Sequence, residues 1–267
     1  MKVVLFCGGL GTRLKEETEF RPKPMVTVGD QPILWHIMRR YAQYGFRKFI
    51  LCLGFKGDIV KSYFLSYSHS HSDLRVDLRS NGVEVLSATE VDDWEVTLVD
   101  TGETAMTGAR VARAVAKYLG GAEHFAVTYG DGLTNADLLG EFSFHLGHGK
   151  IGTILGVHPP SRFGELRTSD TSVAEFTEKP TFHDAWINGG YFFFRRSFLD
   201  YLSEDDGCIL EREPLVRLAD DAQLEVYKHE GFWACMDTPR DMQWLNEQWE
   251  SGHAPWLNVP RNRRRAA

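Results

Sequence analysis

The chain has 267 residues, 43% of them hydrophobic and 25% charged, with a formal net charge of −7. That composition suits a soluble globular domain with ample core. The acidic balance excludes a broad nucleic-acid surface and means that a polyanionic ligand must be met by local cations. No apolar run approaches bilayer-spanning length and MKVVLF is too short for a secretory signal, so no membrane association and a cytoplasmic location are expected.

The run VVLF at residues 3–6 reads as a buried parallel strand. It leads into GGLGTR, where Gly8, Gly9 and Gly11 let the backbone turn tightly and offer its N–H groups to a ligand. Arg13 and Lys23 add a forked guanidinium and a mobile ammonium, which together predict a phosphate site. A Walker loop is excluded because Gly11, Thr12 and Arg13 do not supply Gly-Lys-Ser/Thr. The dinucleotide fingerprint fails as well, because Leu14 stands where its third glycine or alanine belongs. The bland alternative is a glycine turn with two surface cations.

Residues 32–45 follow a helical period with Ile33, Ile37, Tyr41 and Tyr44 on one face, Pro32 suiting the first helical position and Gly45 the stop. A second strand is predicted at 48–55 and a short helix at 58–65. Residues 74–101 alternate in the pieces LRVDLR, VEVLSA and VTLVDT, which predicts small antiparallel strands beside the main sheet. HFAVTYGDG at 124–132 reads as a central strand ending in a loop, and strands follow at 151–157, 172–180 and 187–194. Helices are expected near 209–220 and 239–251. The alternation predicts an α/β fold: a Rossmann-like mixed, mostly parallel sheet flanked by helices, with a small β-rich insertion and an acceptor-binding lobe on the same sheet.

Ligands of open α/β sheets bind beyond the carboxyl ends of the strands, where Asp131 in YGD and Asp237 in FWACMD are both expected. Carboxylates there suit a Mg²⁺ shared with substrate phosphates, although aspartate is equally at home in helix caps and turns. Cys7, Cys52, Cys208 and Cys235 lack metal-ligand spacing and read as buried free thiols. His69 with His71 and His145 with His148 lack further ligands and read as surface residues. Lys179 in EKP and Asn188 in NGG would by themselves be turn residues.

Taken in order, GGLGTR, RPKPM, DTGETAMTGAR, YGDG, RFGEL, EKP, INGGYFFF and FWACMDTPRD resemble the sugar nucleotidyltransferases over nearly the whole chain. DTGETAMTGAR is similar to the cytidine-nucleotide segment of the branch that joins CTP to glucose 1-phosphate. That resemblance implies that Phe6, Cys7, Gly8, Gly9, Leu10, Gly11, Thr12 and Arg13, with Lys23, Thr104, Arg110 and Gly130, bind CTP. It further implies that Asp131 and Asp237 hold Mg²⁺, and that Glu178, Lys179, Asn188 and Gly189 bind the sugar phosphate, with Arg13, Lys23 and Lys179 as the catalytic cations. It implies an assembly of identical copies. Length and composition suit a single domain over 1–267, with a nucleotide half at 1–150 and a sugar-phosphate half at 151–255, and the terminal run of arginines at 256–267 reads as a flexible basic tail.

One departure matters, Glu165 following Gly164 where the family has a small residue, close to where the sugar is expected; Cys7 in place of a small alanine and Thr177 before Glu178 are milder. A related enzyme with another nucleotide or acceptor, and a non-catalytic module that binds a sugar nucleotide, are the competing readings. Retention of Arg13, Lys23, Asp131, Lys179 and Asp237 favours an enzyme.

Overall fold

The computed structural model describes residues 1–9, 11–87, 92–158, 165–169, 171–177 and 185–258, with 165–169 and 174–177 described by their backbone alone. Seven strands form the main sheet: β1 (Lys2–Cys7), β2 (Lys48–Leu53), β3 (Glu95–Asp100), β4 (His124–Thr128), β5 (Gly152–Val157), β6 (Ile187–Arg195) and β7 (Leu224–His229). Their spatial order is β7-β5-β6-β4-β1-β2-β3. β6 runs antiparallel to both its neighbours, and every other pairing is parallel, so the mixed, mostly parallel sheet is as expected.

Among the described residues, the six α-helices longer than one turn cover the two faces: α1 (Ile33–Ala42), α2 (Gly57–Leu65), α3 (Thr107–Tyr118), α4 (Leu138–His148), α5 (Glu213–Asp220) and α6 (Pro239–Glu250). The period of two in β1 divides the core. Val3 and Leu5 pack with α1, α4 and α6, whereas Val4 packs with α3 and α5 on the other face. Both faces are covered, which is why the central strands are continuously apolar. No described helix is long and apolar enough to cross a membrane.

Three expectations need correction. LRVDLR and VEVLSA do form an antiparallel hairpin, Asp73–Asp77 with Gly82–Ser87, but VTLVDT is β3, a parallel edge strand of the main sheet in register with β2. An edge strand exposed along one side alternates just as an inserted hairpin does, so periodicity cannot tell them apart. The expected tail is packed where it begins: Trp256 is fully buried and the Asn258 carbonyl accepts from Arg40 at 2.9 Å, while 259–267 lie outside the described residues. His145 is not a surface residue but fully buried, because Leu138, Glu141 and His145 form the inward stripe of α4.

Candidate active site

β1 and β4 are parallel neighbours, so the glycine loop after Cys7 and the Tyr129-Gly130-Asp131 turn leave the sheet at the same end. Glycine is required where they meet. A Cβ on Gly130 would lie 2.3 Å from the Phe6 carbonyl oxygen, and one on Gly8 would lie 2.3 Å from an Arg110 guanidinium nitrogen. Gly9, by contrast, is exposed with open space around it, which leaves backbone free to face a ligand.

Asp131 and Asp237 are brought together by a separate two-stranded pairing, Gly132–Thr134 against Trp233–Cys235. The Met236 amide donates to the Asp131 carbonyl at 2.9 Å, extending the pairing to the two aspartates. Asp237 is not the cap of α6; Thr238 is, in a capping box with Asp241. The helix start is thus satisfied independently and the Asp237 carboxylate faces the site.

Lys23 begins a 3₁₀ turn, Lys23–Met25, in the RPKPM segment, and its ammonium bridges the two carboxylates at 2.6 Å from Asp131 Oδ2 and 2.6 Å from Asp237 Oδ1. Arg13 reaches the other Asp237 oxygen at 2.6 Å while its side chain stays 68% exposed. Burial alone would lower the Lys23 pKa, but the Asp131 charge and the hydrogen bonds the ammonium donates to both carboxylates outweigh it and hold the ammonium above its ordinary value. Lys23 is therefore a fixed positive charge at the mouth of the glycine loop.

Ligand atoms of Asp131, Asp237 and Cys235 lie within 4.8 Å of one another. Two carboxylate donors suit a hard divalent cation such as Mg²⁺, which needs no complete protein cage. The Cys235 thiol is raised by burial and then by the two carboxylates, and its soft sulfur is a poor donor for a hard ion of this kind. Lys23 already occupies the cation position between the aspartates, so the donor set fits a divalent ion by geometry and by chemistry.

Arg110 has a different place from a ligand-facing cation. It is 4% exposed, and its guanidinium donates to the carbonyls of Leu53, Gly8 and Glu103 at 2.9, 3.1 and 3.2 Å and to the Thr101 hydroxyl at 2.8 Å. These acceptors follow or end β1, β2 and β3, so one planar fork ties three strand ends beneath the loop. Thr104 is exposed and donates to Asp206 at 2.5 Å, which also accepts from Arg113. Those bonds hold the start of α3 against the 205–208 segment. Phe6 packs on Tyr129 at 5.8 Å between ring centroids, and the buried Cys7 thiol is pushed up by burial, which keeps it neutral in the strand.

Asn188 and Gly189 open β6 on the far side of β4. The Gly189 carbonyl accepts from Trp233 Nε1 at 2.8 Å, and Asn188 bonds to the Tyr129 hydroxyl at 3.0 Å. Leu10, Glu178 and Lys179 lie outside the described residues, as does the Glu165 side chain. Of the cysteines, Cys7 and Cys52 are buried as expected, whereas Cys208 and Cys235 are only partly so. Sequence reading passed over Tyr129, Cys235 and Glu211; only the first two adjoin a recognised motif, YGD and CMD.

A mixed sheet with a glycine loop at one strand end, and carboxylates with cations facing it, defines a nucleotidyl-transferring enzyme. The chain belongs to the nucleotidyl transferase family, whose model matches residues 2–238. Among its relatives, the "Glucose-1-phosphate cytidylyltransferase" of Salmonella typhi is 46% identical over 256 residues, spanning 96% of this chain and 98% of that protein. The "Probable glucose-1-phosphate cytidylyltransferase" of Bacillus subtilis is 41% identical over 96% of this chain and 99% of its own. A putative glucose-1-phosphate thymidylyltransferase from Bacillus anthracis, solved with sucrose, shares the fold with a TM-score of 0.66 at 16% identity, covering 97% of each chain.

Proposed function

We propose that the enzyme transfers CMP from CTP to glucose 1-phosphate, giving CDP-glucose and pyrophosphate. The chemistry rests on one observation above all: Lys23 and Arg13 meet Asp131 and Asp237 at the mouth of the glycine loop. The choice of CTP and glucose 1-phosphate is supported by the relatives that are 46% and 41% identical over the full domain.

In this reading an oxygen of the sugar phosphate attacks the α-phosphorus of CTP in line, the bond to the β-phosphate oxygen breaks, and pyrophosphate leaves. A phosphate monoester has a second pKa of about 6, so it is largely dianionic at neutral pH and needs no general base. The task is to align two anions and stabilise charge. The Gly8, Gly9 and Gly11 backbone holds the β and γ phosphates, and the exposed Arg13 fork turns to meet them. Lys23 stands beside the α-phosphoryl group, and Lys179 neutralises the acceptor phosphate. Mg²⁺ on Asp131 and Asp237 would supply charge neutralisation on the phosphates. Arg110 serves the nucleotide indirectly, by fixing the loop that meets it. Assembly of identical copies and a cytoplasmic location are part of the same proposal.

Pyrophosphate release with Mg²⁺ tests it, with CTP, UTP, dTTP and ATP crossed against glucose 1-phosphate and other phosphorylated acceptors. Release that requires both CTP and glucose 1-phosphate is expected. Release with CTP and only another acceptor would move the sugar assignment to Glu165, and no release with any pair would leave a binding module.

A further inference from the structure

Tyr129 immediately precedes Gly130 and Asp131, and its hydroxyl stands between residues far apart in the sequence. Asn188 Nδ2 donates to that hydroxyl at 3.0 Å, and the hydroxyl donates to Glu211 Oε1 at 2.6 Å. The second Glu211 oxygen accepts from the Thr107 hydroxyl at 2.7 Å, and Asn188 Oδ1 accepts from the Gly190 amide at 2.7 Å.

The direction of these bonds follows from what each group can do. A carboxylate accepts only, so Tyr129 gives its one proton to Glu211 and receives from Asn188 through a lone pair. At the other end a backbone amide donates only, so the Asn188 carbonyl must face Gly190. Both ends demand the same orientation of the Asn188 amide, which leaves its second N–H with no partner among the described residues. The Tyr129 ring packs against Phe6 and Phe192, each at 5.8 Å, so the ring keeps its place without the hydroxyl.

We infer that Tyr129 and Glu211 are positioning residues for the acceptor sugar: through Thr107, Glu211, Tyr129 and Asn188 they fix the Asn188 amide so that it presents an N–H to a sugar hydroxyl oxygen. The inference rests on the CMP-transfer reading above. It also joins Thr107, in the segment whose pattern resembles the cytidine loop, to a residue on the sugar side of β4.

The test is steady-state kinetics of the full chain with Tyr129→Phe, Glu211→Ala, Glu211→Gln and Asn188→Ala, each checked by thermal unfolding. Tyr129→Phe is expected to raise the acceptor KM about tenfold, the scale of one hydrogen bond, with the CTP KM and the unfolding temperature unmoved. Glu211→Ala, at an exposed position, should raise the acceptor KM likewise, and Glu211→Gln should recover most of it because its amide oxygen can still accept from Tyr129. The double variant Tyr129→Phe/Asn188→Ala should be no worse than Asn188→Ala alone. An unchanged acceptor KM in Tyr129→Phe and Glu211→Ala, or additive losses in the double variant, would overturn the inference. Wild-type turnover is measured first. Its absence with glucose 1-phosphate overturns the substrate reading alone, the same KM comparison then being made with whichever acceptor releases pyrophosphate; its absence with every acceptor overturns both.

Discussion

β4 carries a polar cluster at each end, and the two are built in opposite ways. At its start, His124 Nδ1 lies 3.0 Å from His145 Nε2, and Thr153 Oγ1 lies 2.8 Å from His145 Nδ1 and 2.7 Å from His148 Nε2. The Lys150 amide donates to His148 Nδ1 at 2.9 Å, which fixes one direction for the whole chain of bonds. His148 donates to Thr153, Thr153 to His145 and His145 to His124, each imidazole being neutral. Beyond the other end, Lys23, Arg13, Asp131 and Asp237 are charged and reach solvent. Ion pairs that meet water can exchange a partner for a substrate phosphate, whereas a neutral chain centred on the buried His145 and Thr153, with every proton assigned, holds structure. The position of the polar groups along one strand therefore separates chemistry from architecture.

Lys23→Ala should break the charged end most severely. It removes the cation held between two carboxylates, which the proposed reaction puts beside the transferred group, and turnover is expected to fall about a hundred- to a thousandfold, the scale of losing one preorganised electrostatic contact. The unfolding temperature should change little, which initial rates and thermal melts would show together. Near-normal turnover would remove Lys23 from the site.

Arg110→Ala sits next in size but reads out differently. It strips partners from the Leu53 and Gly8 carbonyls in a buried position and should cost about 3 kcal/mol of stability by denaturant unfolding. Arg110→Lys should recover little of it, since an ammonium cannot span the same acceptors. Full stability with lost CTP binding would instead make Arg110 a ligand contact.

The smallest expected effect probes the neutral end. Burial, with the neighbouring His124, His148 and Arg195, lowers the His145 pKa from the ordinary 6.5 to about 3. The unfolded chain therefore takes up a proton below 6.5 that the folded cluster refuses until about 3. Stability is complete above pH 6.5 and falls as the pH drops toward 3. His36, lowered to about 4 by burial, acts in the same direction. His145→Gln should flatten part of that slope in melts from pH 7.5 to 4.5 and leave turnover at pH 7.5 unchanged; an unaltered slope would mean that His145 does not hold the folded state neutral.

The charged end was legible in the sequence because its residues stand directly after apolar strands, at GGLGTR, YGD and CMD, where the α/β fold puts ligands. The neutral end was not. His145 and His148 looked like an exposed pair, and only the packing of Leu138, Glu141 and His145 against the sheet shows that the stripe turns inward. Arg110 stands in a segment the sequence singles out, but its direction was hidden, since a motif does not say whether a guanidinium points out to a ligand or back under a loop. Glu211 had no local signal at all, because its partner Tyr129 is 82 residues away and the contact exists only after β4 and α3 are placed.

The most direct measurement is the rate of pyrophosphate release from CTP and glucose 1-phosphate by Asp131→Asn at pH 7.5, on protein shown to melt like the wild type. We expect a loss of about a thousandfold, because the substitution removes one of the two charges that hold the cations in place while keeping the side chain's shape. Wild-type turnover in a folded Asp131→Asn would contradict the placing of phosphoryl transfer between Asp131, Lys23 and Asp237.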